Sequence, residues 1–182
     1  DLVDAHDLDH RVGSRRLDSA REFAEQYGIP NAHGSYEELV ADPDVDIVYI
    51  ATPHPGHVDN ALLALDHGKH VLVEKPLTLN AIEAAMIRDR AAAKGLLAME
   101  AMWTRYLPHM VRIREILAAG TLGEVRVVSA DHTQKLPSDP AHRLNDLALG
   151  GGALLDLGIY PISFAVDVLG LPERITALAR LS

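Results

Sequence analysis

The chain has 182 residues, room for one ordinary domain or two small ones, and its 48% hydrophobic and 24% charged content excludes a disordered chain. A net charge of -9, from 26 acidic against 17 basic residues, argues against a nucleic-acid or anionic-membrane surface and leaves room for a local basic pocket that takes a phosphate. Cysteine is absent, which removes disulfides, thiolate catalysis and zinc-thiolate sites and accords with a reducing compartment; without a signal-like opening or an apolar run near the ~20 residues of a membrane span, a cytoplasmic location is the default.

The sequence opens on Asp1, so it reads as the interior of a longer gene product. Asp1 to His10 has the character of a helix end and a loop. Arg11 and Val12 make a short strand leading to Gly13, Ser14, Arg15 and Arg16. Asp18 is placed to cap a helix whose apolar positions are Ala20, Phe23, Ala24 and Tyr27, and Gly28 stops it before Ile29 and Pro30. Ser35 starts a short helix from Tyr36 to Val40. Asp46 to Ala51 is a strand expected to be buried, and it ends in the breaker-rich Thr52, Pro53, His54, Pro55 and Gly56.

Val58 to His67 is a crossover helix with Gly68 as its stop. His70 to Val73 follows as the central strand, apolar on both pleat faces and closed at once by Glu74, Lys75 and Pro76. Asn80 with Glu83 three places on is a capping-box pattern, opening a helix to Lys94 that Gly95 ends. Leu96 to Met102 is a further strand. Strands alternating with helices of roughly 10 to 15 residues imply right-handed crossovers and a parallel, doubly wound α/β sheet, here an incomplete Rossmann-like one.

Pro108 opens another helix to Ala119, stopped by Gly120. Glu124 to Ala130 alternates β-branched residues as a strand does. A polar loop, Gln134 to Leu149, leads to Gly150, Gly151 and Gly152 and an apolar helix from Ala153 to Leu169; Arg174 to Leu181 has the pattern of one more strand. The expected organisation is a partial dinucleotide-binding domain over 1–121, followed over 122–182 by the start of an α/β domain with an open sheet.

Three places carry chemistry. Lys75 lies beyond the carboxyl end of a parallel strand, where ligands of open sheets sit; Glu74 and Lys75 are otherwise a solvated strand end. Asp156 and Tyr160 are four apart, so an α-helix puts both on one face. A tyrosine hydroxyl beside a carboxylate and near an amine relays a proton to or from a substrate oxygen, whereas the bland reading is an ordinary amphipathic helix. Pro161 is expected to bend that helix beside Tyr160. Ser14, Arg15 and Arg16 are either a solvated basic turn or the place where an arginine accommodates the 2′-phosphate of NADP.

The triple glycine does not follow a strand, so it is expected to permit close packing rather than to cradle a phosphate. Ten histidines raise the question of a metal, but His54 and His57 lie in a Pro/Gly loop without an acidic ligand pattern, and no metal site is expected. His57 is instead expected to be a polar group facing a cofactor. Trp103 and Tyr106 either wall an apolar pocket or are plain core aromatics.

Taken together, Thr52-Pro53 with His57, Glu74-Lys75-Pro76, Glu100 to Arg105, and the triple glycine with Asp156 and Tyr160 resemble the glucose-fructose oxidoreductase and inositol dehydrogenase family (Gfo/Idh/MocA). Tyr160, where many members carry histidine, brings the resemblance closest to the NADP-dependent dihydrodiol and D-xylose dehydrogenase branch. The resemblance implies that Lys75 and Tyr160 handle the proton of a substrate hydroxyl and that Asp156 orients the substrate or the lysine. It implies that Ser14 and Arg15 hold the 2′-phosphate, and that Thr52, Pro53, His57, Glu74, Lys75 and Trp103 line the cofactor. It also implies a first strand with a glycine-rich turn before Asp1 and more sheet after Ser182, so that the fragment alone is expected to be inactive.

The expected function is hydride transfer between nicotinamide and a secondary hydroxyl of a sugar or cyclic diol. NADP is the expected cofactor, with NAD as the alternative, and the full-length enzyme is expected to be a homo-oligomer, a dimer or tetramer, with no nucleic-acid or membrane partner. Two other readings share the fold: a non-catalytic nucleotide sensor, and a glycosidase or lyase that recycles its nicotinamide.

Overall fold

The structure, a computed structural model, describes residues 10–139 and 142–179. The expected loop over Asp1 to Asp9 and the last two residues of the expected strand at Arg174 to Leu181 therefore lie outside the described residues. Two compact units are present, one running through Glu100 and one from Ala101 onward, so the boundary expected after residue 121 falls within the second.

In the first unit the elements alternate as β1 (Arg11–Gly13), α1 (Leu17–Tyr27), β2 (Asn31–His33), α2 (Tyr36–Ala41), β3 (Ile47–Ile50), α3 (His57–Asp66), β4 (His70–Val73), α4 (Ala81–Lys94) and β5 (Ala98–Glu100). All strand pairs are parallel: β1 with β2, and β3–β4–β5 as a three-stranded sheet in which Val48 pairs with Val71 and Val71 with Ala98. Short parallel strands joined through helices are what a doubly wound nucleotide-binding fold requires.

The core lies on one face of the three-stranded sheet. Val48, Ile50, Val71 and Val73 are buried there with Ala61, Ala64 and Leu65 of α3 and Ile87 and Ala91 of α4. The alanines let both helices sit close, and each buried Val or Leu contributes about 1.5–3 kcal/mol. The other face carries Ile47, Tyr49, Leu72 and Met99, of which Ile47 and Tyr49 are 58% and 56% exposed. Burial of β3 and β4 on both faces, expected from their apolar runs, thus holds for one face only, because the described helices pack from one side.

Side chains cap the starts of α2 and α4. Ser35 caps α2 by accepting the Glu38 N–H at 3.0 Å, and Asn80 caps α4 by accepting from Ile82 and Glu83. Glu83 closes the box by accepting from Leu79 N–H at 3.1 Å and from the Asn80 amide at 2.9 Å. Gly28 and Gly95 end α1 and α4 in the left-handed conformation, with φ of 68° and 66°. Asp18, expected as the cap of α1, is instead in its first turn; Arg16 holds the cap position without a side-chain bond. An acidic side chain there still favours the helix through the exposed N–H groups.

A polar cluster joins β1 to the turn after α2. Arg11 donates to Asp42 at 2.7 Å and to Asp44 at 2.8 Å, and Lys69 Nζ donates to the Asp42 carbonyl at 2.8 Å. The Asp44 backbone N–H and the Arg11 guanidinium hold the Asp42 carboxyl below the usual carboxylate range.

The second unit contains a 3-10 turn (Trp103–Tyr106), α5 (Pro108–Ala118), a short turn (Leu147–Leu149), a wide π turn (Leu154–Gly158) and α6 (Ile159–Leu169). The strands expected over Glu124 to Ala130 and from Arg174 onward form no ladder among the described residues. β-branched alternation expresses a preference for extended backbone, and without a partner strand it makes no sheet.

Residues Leu147–Leu169, 23 in number with mean hydropathy 1.5, are long and apolar enough by length and composition to cross a membrane. That overturns the expectation that no such stretch exists, which considered unbroken apolar runs only. The stretch is interrupted by non-helical Gly150–Gly152 and carries Asp156 and Asp167.

Candidate active site

In the first unit the site is built around the turn that ends β4. The Glu74 N–H still donates to Ile50 O at 2.9 Å as part of the ladder, and the Lys75–Pro76 peptide bond is cis. Three neighbouring elements then hold the turn. Tyr49, from β3, donates its hydroxyl to Glu74 Oε1, and the other Glu74 oxygen accepts the Lys75 backbone N–H at 3.0 Å. Glu100, from β5, accepts the Leu77 N–H at 2.8 Å.

From α3, the buried His57 ring sets Nδ1 2.9 Å from Pro76 O and 3.3 Å from Leu77 O, with Nε2 2.8 Å from Thr52 O. Lys75 is half-buried at the centre of this frame.

His57 was expected to face a cofactor. Its ring is instead committed to backbone carbonyls at both nitrogens, which ties the loop after β3 to the turn after β4. Thr52 is fixed in addition by Asn60, whose amide donates to Thr52 Oγ1 at 3.1 Å, and Pro53 precedes the 3-10 turn His54–Gly56. Ser14 donates its N–H to His33 O at 3.2 Å at the carboxyl end of β1, and Arg15 is exposed beside it. Ser14, Arg15, Thr52, Pro53, Glu74 and Lys75 thus all follow the carboxyl ends of parallel strands, the end at which open α/β sheets bind ligands.

The second unit places an aromatic group around Tyr160. Trp103 Nε1 donates to the Tyr160 hydroxyl at 3.2 Å, the two rings lying edge to face with centroids 6.1 Å apart. His132 stands on Tyr160 with centroids 5.1 Å apart. An indole N–H on the phenol oxygen leaves that hydroxyl's proton to be given to another acceptor. Trp103, expected to line the cofactor, therefore has its polar edge directed to Tyr160.

The turn bearing Trp103 is anchored by Arg105, which donates to Asp167 of α6 at 2.7 Å, and by Arg114, which donates to the Arg105 carbonyl at 2.6 Å. Asp156 lies in the wide turn that leads into α6, and Tyr160 is the second residue of α6. π turns recur at functional sites. Pro161 is the third residue of α6, directly after the wide turn.

Gly151 packs as expected for a glycine required by close approach. A Cβ there would lie 2.7 Å from Asp146 O, 2.8 Å from Leu144 O and 2.9 Å from Arg143 O, all backbone. Its own N–H donates to Asp146 O at 2.9 Å, so it serves its loop rather than an anion. Gly151→Ala is expected to destabilise the protein by about 1–3 kcal/mol; an unchanged urea midpoint would show that residues 143–146 yield freely.

Sequence reasoning missed Tyr49, Asn60, His132 and the bond made by Glu100. Tyr49 had a readable signal, since the parallel register puts it one step from the strand end that carries Glu74. His132 had none, because it lies in irregular chain. Among the described residues no group of three or more His, Asp or Glu side chains is placed to hold a metal ion.

A family model described as the oxidoreductase family with an NAD-binding Rossmann fold matches residues 10–102, and one for the GFO/IDH/MocA C-terminal domain matches residues 110–182. The chain belongs to the Gfo/Idh/MocA oxidoreductase family. Among curated members, trans-1,2-dihydrobenzene-1,2-diol dehydrogenase of Bos taurus is 48% identical over 171 residues, covering 93% of this chain and 50% of that protein. D-xylose 1-dehydrogenase (NADP(+)) of Hypocrea jecorina is 43% identical, covering 91% and 46%.

The solved 3-ketoreductase of Actinomadura kijaniata, in complex with NADP and TDP-benzene, superposes with a TM-score of 0.77 at 38% identity, covering 88% of this chain and 49% of that one. The chain spans about half the length of the curated relatives it matches. A Gfo/Idh/MocA origin accounts for the parallel strands, for the Glu74-Lys75-Pro76 turn and for a second unit that begins soon after β5.

Proposed function

We propose that this chain forms the cofactor and catalytic part of an NADP-dependent dehydrogenase that transfers hydride between a secondary hydroxyl of a cyclic diol or sugar and nicotinamide. One observation carries the reading: three elements of the first unit commit side chains to fixing the single turn that presents Lys75. So much hydrogen bonding on one turn is expected where a reacting group has to be positioned within a fraction of an ångström. The names of the relatives support the cofactor and the substrate class.

In this proposal the first unit binds the dinucleotide and the rest begins the substrate domain. Bound NADP would supply the hydride acceptor. Arg15, exposed after β1 beside an α1 terminus that lacks a side-chain cap, fits a 2′-phosphate, which would take charge-assisted bonds from the guanidinium and from Ser14. Lys75 and Tyr160 then move the proton of the substrate hydroxyl, Trp103 fixes the Tyr160 oxygen, and Asp156 orients substrate or lysine. A cytoplasmic, homo-oligomeric enzyme is part of the same reading.

The test uses the full-length protein with NADP and either trans-1,2-dihydrobenzene-1,2-diol or D-xylose. Net NADPH formation is expected with at least one. Cofactor binding without net NADPH would instead favour a sensor or a nicotinamide-recycling lyase.

A further inference from the structure

Glu74 and Lys75 are adjacent opposite charges at the point where β4 ends. Yet both Glu74 oxygens are engaged elsewhere, Oε1 by the Tyr49 hydroxyl and Oε2 by the Lys75 backbone N–H. The second bond folds the carboxylate back onto the turn, and the first, reaching across from β3, is the only side-chain bond described that holds it there.

We propose that Tyr49 is a positioning residue for Lys75: by donating to Glu74 it keeps that carboxylate on the turn backbone and off the neighbouring amine. The inference rests on the reading of Lys75 as the group that exchanges the substrate proton.

The charge argument is direct. A carboxylate released next to an ammonium stabilises the charged form, and a lysine held charged is a poorer base in the oxidative direction. Tyr49 suits the task because partial burial, and then the Glu74 carboxylate, push its hydroxyl up to about 12, so it stays a donor throughout the neutral range. Two further titratable groups described at the turn bond to its backbone. Glu100 from β5 takes the Leu77 N–H, and His57 from α3 lies on the Pro76 and Leu77 carbonyls. Glu74 is therefore the carboxylate that loss of Tyr49 would set loose.

The experiment compares pH profiles of the full-length enzyme. Tyr49→Phe keeps the ring of a half-exposed residue and removes only the donor. It is expected to move the rising limb of kcat to higher pH by about one unit, lowering kcat near neutrality roughly tenfold. The dissociation constant of NADPH and the melting temperature are expected to stay near wild type.

The double variant Y49F/E74Q, which has no carboxylate to release, is expected to return the limb to its wild-type position. A limb unmoved in Tyr49→Phe, or a shift that persists in the double variant, overturns the inference. Lys75→Met separates this failure from that of the parent reading: if Lys75→Met stays active, the lysine is not the proton carrier at all, whereas an inactive Lys75→Met with a normal Tyr49→Phe refutes only the role of Tyr49.

Discussion

Lys75→Met is expected to lower kcat by roughly three orders of magnitude while the dissociation constant of NADPH changes less than about threefold. The expectation follows from how the turn is built. The backbone at Lys75 is held by the Glu74 side chain on its N–H, and the following residues are held by His57 and Glu100. None of these bonds uses the lysine amine, so methionine keeps the aliphatic stem and the turn and loses only the ionisable group. General acid-base catalysis by a positioned side chain is typically worth about 10²–10⁴ in rate, and that is the quantity being removed. Stopped-flow single turnovers beside equilibrium cofactor titration read the two effects separately. A variant that keeps turnover within tenfold of wild type would remove Lys75 from the mechanism, and a large loss of NADPH affinity would reassign it to cofactor binding.

The frame around Lys75 was only partly legible in the sequence. The strand His70 to Val73, the stop at Pro76 and the cap at Asn80 are local features, written in apolar period, proline chemistry and side-chain reach, and the structure places them where those signals lie. β2 escaped notice because its three residues, Asn31 to His33, follow Pro30 and carry little apolar pattern; what makes them a strand is pairing with β1. The opposite failure occurred at Glu124 to Ala130, where strand propensity is strong and no partner is described.

His57 shows the same limit for function. A histidine in a Pro/Gly loop at a strand end reads as a ligand-facing group, and only its distances to the Thr52 and Pro76 carbonyls reveal a fastening. The π turn before Tyr160 is likewise not encoded in the residue spacing.

Tyr160→Phe is expected to lower kcat about a hundredfold or more with little change in substrate KM, because the variant keeps the ring between Trp103 and His132 and removes only the hydroxyl. Trp103→Phe, which deletes the indole N–H that fixes that hydroxyl at 3.2 Å, is expected to cost several-fold rather than a hundredfold, since it loosens the phenol without removing its proton. The more demanding measurement is the cycle with Lys75→Met. If lysine and tyrosine serve one proton transfer, removing the second after the first costs little, and the double variant is expected to fall close to Lys75→Met alone. Independent roles, such as proton transfer by one and substrate binding by the other, would instead make the losses multiply. Full multiplication, or a Tyr160→Phe enzyme of wild-type turnover, would break the assignment of both residues to a single reacting hydroxyl.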